Sequence, residues 1–172
     1  MIPAIKKILY ATDLSKNSSY AFLYAADMAK RHNAKIVILH SIEPVRYLYP
    51  EEMSARLDEI LQTGKEEEQK ADVEKIKHYL QEFCNKMENQ FGPPCVELVS
   101  KILIPLGYPV EQILKVADEE DCDAIVLGTH GKGFLKHTFL GSVAEDVLVR
   151  TRKPVFIIPL PSKETHFDWD HI

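Results

Sequence analysis

A chain of 172 residues with 45% hydrophobic and 27% charged residues has the length and composition of one ordinary globular domain with a full core. Its formal net charge of -5 argues against general affinity for nucleic acid or anionic membranes, because both need a basic field. A small phosphate site stays open to it, provided backbone N–H groups rather than bulk positive charge hold the anion.

Met1 to Lys7 lacks the apolar core of a secretion signal, and no apolar run reaches the length of a membrane span. The first strand is expected at Ile8-Leu9-Tyr10-Ala11, a continuous apolar run suited to a strand buried on both faces. Phe22, Ala25 and Ala29 then fall at helical spacing behind Ser15 and Asn17, two residue types that cap helix starts. Ile36-Val37-Ile38-Leu39 is the second buried strand. Residues Tyr47 to Lys70 read as a helical excursion with a solvated middle, and Val73, Ile76, Leu80, Phe83 and Met87 form an amphipathic helical stripe. Val96 to Leu103 alternates only in part and suits a more exposed, edge-like strand. Pro109 opens a helix carrying Ile113, Leu114 and Ala117. Ala124-Ile125-Val126-Leu127 is the fourth strand. Val143, Val147 and Leu148 mark a last helix that ends before Pro154, and Val155-Phe156-Ile157-Ile158 is the fifth strand. Regular alternation of this kind implies an α/β fold with a parallel sheet and helices on both faces. One domain over residues 1–160 and a tail at 161–172 are expected. The three cysteines, Cys84, Cys95 and Cys122, form no C-x-x-C pair and an odd count, so reduced thiols and a cytoplasmic location are expected.

Ligands of such sheets bind at the carboxyl ends of the strands, where strand order reverses. Two strand ends carry chemistry. Asp13, after Thr12, would project from the first strand, where a carboxylate can accept bonds from a base or ribose; a turn aspartate is the plainer alternative. The fourth strand runs into Gly128-Thr129-His130-Gly131-Lys132-Gly133, where Gly128 and Gly131 would admit close approach of a ligand and positive φ. Gly141 and Ser142 follow just before the last helix, whose free N–H groups and dipole favour a phosphate. Ser142 with Glu145 also has the spacing of a capping box. His130 and Lys132 could assist a phosphate, but exposed loop residues are the plainer reading. His40 and His137 lack the spaced partners of a metal site.

Known phosphate motifs mostly fail. Gly128 and Gly133 have P-loop spacing, but Phe134 follows where the motif requires lysine. The turn after the first strand has no glycines for a dinucleotide fingerprint, and Ile102-Leu103-Ile104-Pro105 lacks the acidic residue of a phospho-receiver.

What remains is G-x-x-G, nine residues, then G-S: Gly128, Gly131, Gly141 and Ser142. This spacing resembles the ATP-binding signature of the universal stress protein family. So do Lys6 to Asp13 at the start, Gly107 before Pro109, and Val155 to Pro159 at the end, so that the resemblance runs from about Ile5 to Pro159. It implies a doubly wound, five-stranded parallel sheet of Rossmann-like, adenine nucleotide alpha hydrolase-like type. It implies ATP, or AMP or ADP, lying across the strand ends. Asp13, with Thr12, would sit by the adenosine, and Ser41 or Ile42 near the adenine. Gly128, Gly131, Gly141 and Ser142, with their neighbours Thr129, His130 and Val143, would hold the phosphates together with a divalent cation such as magnesium or manganese. A homodimer through Val155 to Ile158 and a part in stress adaptation are further implications. Three functions stay open: a regulatory ATP-binding module, a slow ATP hydrolase or phosphotransferase, and a dimeric scaffold that uses no nucleotide. The residues show no evident general base or nucleophile for turnover, which favours the first.

Overall fold

A computed structural model describes residues 4–43, 70–89, 95–129 and 140–159. In chain order the elements are β1 (Lys7–Ala11), α1 (Lys16–His32), β2 (Lys35–Leu39), α2 (residues 70–89), α3 (Cys95–Leu98), β3 (Val99–Leu103), α4 (Pro109–Glu119), β4 (Ala124–Gly128), α5 (Ser142–Arg150) and β5 (Val155–Ile158). The five strands form one sheet in the order β3-β2-β1-β4-β5, every pair parallel. The expected doubly wound α/β architecture is therefore present, and strand order reverses between β1 and β4. The expected excursion over 44–69 and the tail from residue 160 lie outside the described residues.

Side chains alternate across a strand, so each central strand feeds two cores. Ile8, Tyr10, Ile36, Ile38 and Val126 pack on one face against Phe22, Ala25 and Ala29 of α1 and Leu80, Phe83 and Met87 of α2. Leu9, Val37, Leu39, Ile125 and Leu127 pack on the other against Ile113, Val116 and Ala117 of α4 and Ala144 and Val147 of α5. Each fully buried aliphatic or aromatic side chain is worth about 1.5–3 kcal/mol in transfer alone, so both faces contribute to holding the sheet. Burial also pushes the Cys122 thiol up to about 11, which keeps it protonated and unreactive. None of the described helices is long and apolar enough to cross a membrane.

Three local expectations need correction. Residues 95–98 are a helical turn, not the start of a strand: Leu98 turns into the α1–α2 core, and the strand begins at Val99. β3 is the edge strand its alternation suggested. β5 read as buried on both faces, yet among the described strands it is the opposite edge, and Phe156 is 38% exposed. Leu148 of α5 likewise faces outward, at 49% exposure.

Candidate functional site

The reversal of strand order opens a crevice at the carboxyl ends of β1 and β4, and the residues on its rim are set by local bonds. β1 leaves the sheet at Thr12. The Thr12 N–H makes a last rung to Leu39 O at 2.9 Å, and its buried hydroxyl lies 2.8 Å from Ser18 Oγ while accepting the Leu14 N–H at 3.0 Å. Tyr10, buried below, donates its hydroxyl to Ser18 O at 2.6 Å, which fastens the first turn of α1 to β1. Asp13 Oδ1 accepts the Ser15 N–H at 3.0 Å. Between these two bonds Leu14 takes φ 64, a left-handed conformation that costs a branched residue about 1–3 kcal/mol and that tends to be kept where a site needs it.

Asp13 is thus the turn aspartate of the plainer reading through one oxygen only. Its Oδ2 is buried without a hydrogen-bond partner among the described residues. A buried carboxylate oxygen left without a donor costs about 1–3 kcal/mol or more, a cost a ligand O–H or N–H would remove. Ser15 is the N-cap of α1, its side chain accepting from Ser18 N, whereas Asn17 lies inside the helix. Asn17 instead packs against β4: a Cβ on Gly128 would stand 2.9 Å from Asn17 Nδ2. Gly128 is required for that close approach of α1, and not for the positive φ expected of it.

Beyond β4, Thr129 is buried and bonded on both sides. Its N–H donates to Ile158 O at 3.0 Å, and its carbonyl accepts the Gly141 N–H at 2.6 Å. This second bond brings the two halves of the glycine spacing together, so that Gly128 and Thr129 adjoin Gly141, Ser142 and Val143 at the start of α5. Residues 130–139 between them, with His130, Gly131, Lys132 and His137, lie outside the described residues. The capping box expected at Ser142 is absent. Glu145 N–H donates to Gly141 O at 2.9 Å, which makes Gly141 the N-cap and Ser142 the first helical residue. Gly141 has no side chain to cap with, and α5 carries no side-chain cap bond. Its N-terminus therefore presents backbone amides and a helix dipole at the crevice, in contrast to α1, whose Ser18 N–H is taken by Ser15.

Ser41 and Ile42 continue past β2 beside the turn after β3. Ile42 N–H donates to Pro105 O at 3.0 Å, Gly107 N–H to Ile42 O at 2.8 Å, and Ser41 Oγ–H to Gly107 O at 2.5 Å. Gly107 has φ 150, a conformation that residues with a Cβ rarely adopt, and its open Cβ position is filled by the Gln112 side chain. Ser41, Ile42 and Gly107 stand out in sequence, but their pairing with one another does not, because it joins segments far apart in the chain. Among the described residues no three His, Cys, Asp or Glu side chains gather around a metal position. A divalent cation here would be held chiefly by ligand phosphates. A groove of about 450 Å³ between α2 and β3, lined by Lys77, Cys84, Ser100 and Lys101 among others, lies two strands away from this crevice.

The family model described as the universal stress protein family matches residues 4–159. The chain belongs to the universal stress protein family. Universal stress protein MJ0577 of Methanocaldococcus jannaschii is 33% identical over 154 residues, covering 89% of this chain and 94% of that protein. A universal stress protein of Thermus aquaticus is 29% identical over 153 residues, covering 89% and 98%. The solved structure of MJ0577 superposes with a TM-score of 0.71 at 26% identity, covering 93% of this chain and 99% of that one. The same fold is found at 22% identity in a universal stress protein of Archaeoglobus fulgidus in complex with dAMP, with a TM-score of 0.54 and coverage of 92% and 99%. It is also found in a universal stress protein in complex with cAMP, at 22% identity, with a TM-score of 0.58 and coverage of 91% and 98%.

Proposed function

We propose that this chain binds an adenine nucleotide, ATP in the first instance, across the carboxyl ends of β1 and β4. It then acts as a homodimeric regulatory module of the stress response. The observation that carries the reading is the buried Asp13 Oδ2, which lacks a donor at the point where strand order reverses. A ribose hydroxyl or an adenine amino group supplies that donor. The amides of Ser142 and Val143 and the open α5 N-terminus receive the phosphates, with Gly128 and Thr129 at their side and His130 and Gly131 in the connecting loop. Ser41 and Ile42 flank the base. Magnesium or manganese would enter with the phosphates. The cAMP and dAMP bound to related folds are adenine nucleotides of the same chemical class.

Binding is favoured over turnover. Among the described residues, the groups that close on the α5 cap, Thr129, Gly141 and Ser142, offer amides and hydroxyls, none of them a base at neutral pH. Heat-released supernatant of the purified protein should contain adenine nucleotide, or the apoprotein should bind ATP with magnesium saturably. Asp13→Asn should weaken that binding about ten- to hundredfold, the worth of a charged hydrogen bond. Single-turnover phosphate release should be no faster than in buffer. A release rate abolished by Asp13→Ala would favour the hydrolase. An absence of ATP binding at millimolar concentration would favour the nucleotide-free scaffold.

A further inference from the structure

The His40 imidazole stands one residue beyond β2, half-buried, with Nδ1 2.8 Å from the carbonyl oxygen of Thr12. A carbonyl can only accept, so the hydrogen of this bond sits on Nδ1, and neutral His40 is held in the Nδ1–H tautomer. His40 is itself anchored from the other side, its backbone N–H donating to Leu103 O at 3.0 Å. The imidazole is therefore a strut from β2 and β3 to the point where β1 ends. With it in place Thr12 has its N–H, hydroxyl and carbonyl all engaged, by Leu39, by Ser18 and Leu14, and by His40. The next residue is Asp13, followed by Leu14 in its left-handed conformation. The Thr12 carbonyl lies in the plane of the Thr12–Asp13 peptide, and turning that plane about the Thr12 Cα–C bond would swing the carbonyl away from His40 and displace Asp13, which follows it. The His40 bond opposes that rotation.

We infer that His40 is a positioning residue for nucleotide binding: its imidazole clamps the Thr12 carbonyl, and the clamped turn sets where Asp13 Oδ2 stands. This rests on the nucleotide reading of the same crevice. Asparagine offers a distinguishing replacement, since its amide nitrogen lies as many bonds from Cα as Nδ1 does, whereas the glutamine amide lies one bond further.

The test is a set of titrations of wild type, His40→Ala, His40→Asn and His40→Gln with adenosine, AMP and ATP. Amide hydrogen exchange at Leu14 and Ser15 in the nucleotide-free proteins accompanies them. His40→Ala and His40→Gln should lose about three- to tenfold in affinity, one hydrogen bond's worth, by the same factor for all three ligands. His40→Asn should stay near wild type. Exchange at Leu14 and Ser15 should speed up in the Ala and Gln variants and not in Asn. Wild-type affinity in His40→Ala, an Asn variant no better than Ala, or a loss that grows from adenosine to ATP would overturn the inference. A wild-type protein that binds no nucleotide would sink the nucleotide reading itself. The exchange data would still decide separately whether His40 holds the turn.

Discussion

A Cβ on Gly128 would lie 2.9 Å from Asn17 Nδ2 and 3.3 Å from its Cγ. Gly128→Ala therefore has to push the buried Asn17 side chain, and with it the first turn of α1, off the end of β4. A stability loss of about 1–3 kcal/mol in urea denaturation is expected, the usual cost of overpacking. Asn17→Ala in the same chain should recover part of it, because the two positions share one contact; strictly additive effects would show that the contact is not what makes alanine costly. The site was legible residue by residue to unequal depth. Asp13 and the four positions Gly128, Gly131, Gly141 and Ser142 stand out as candidates because type and spacing carry the signal, and Gly131 lies outside the described residues. The reason for Gly128 does not stand out: its constraint comes from Asn17, which sequence places in a different element. The same holds for the clamp of His40 on Thr12 and for the seam of Ser41 and Ile42 with Pro105 and Gly107, which depend on distant strands lying side by side.

α1 begins where the proposed site begins, so its first turn both holds the helix start and borders that site. Ser15 caps it, accepting the Ser18 N–H at 3.2 Å, and Ser18 in turn meets Thr12 and Tyr10. Ser15→Ala should cost about 1 kcal/mol of global stability, the typical worth of an N-cap, read from the thermal or urea midpoint. An unchanged midpoint would mean that the cap is replaced by water. The elements themselves were largely visible in hydrophobic period, because four strands are apolar runs and α2 carries a clean stripe. Their ends were less so. Residues 95–98 look like strand by alternation and form a helical turn because Leu98 reaches the core. Ser142 looks like a cap and is not one, because the Gly141 carbonyl takes the first helical bond. Such boundaries are settled by which backbone group finds a partner first, and side-chain pattern does not report that.

At the scale of the molecule, strand period alone said parallel sheet, and the resemblance to universal stress proteins supplied the doubly wound form. The strand order confirms it, but period cannot show which strands end at an edge. Among the described strands β5 is one such edge, and an edge strand with apolar side chains invites pairing. Phe156 on this strand is 38% exposed. If the proposed homodimer uses Val155–Ile158, Phe156→Asp should yield a monomer by sedimentation at micromolar concentration while the wild type sediments as a dimer. A wild-type monomer would remove the dimer from the proposal. The central claim is nucleotide binding at the reversal of strand order, and one measurement meets it directly: titration of the isotope-labelled protein with ATP and magnesium, followed by amide chemical shifts. The account predicts saturable shifts concentrated at Asp13, Gly128, Thr129 and Gly141 to Val143, with the midpoint moved about ten- to hundredfold higher in Asp13→Asn. No saturation at millimolar ATP, or shifts centred on another part of the surface, would contradict it.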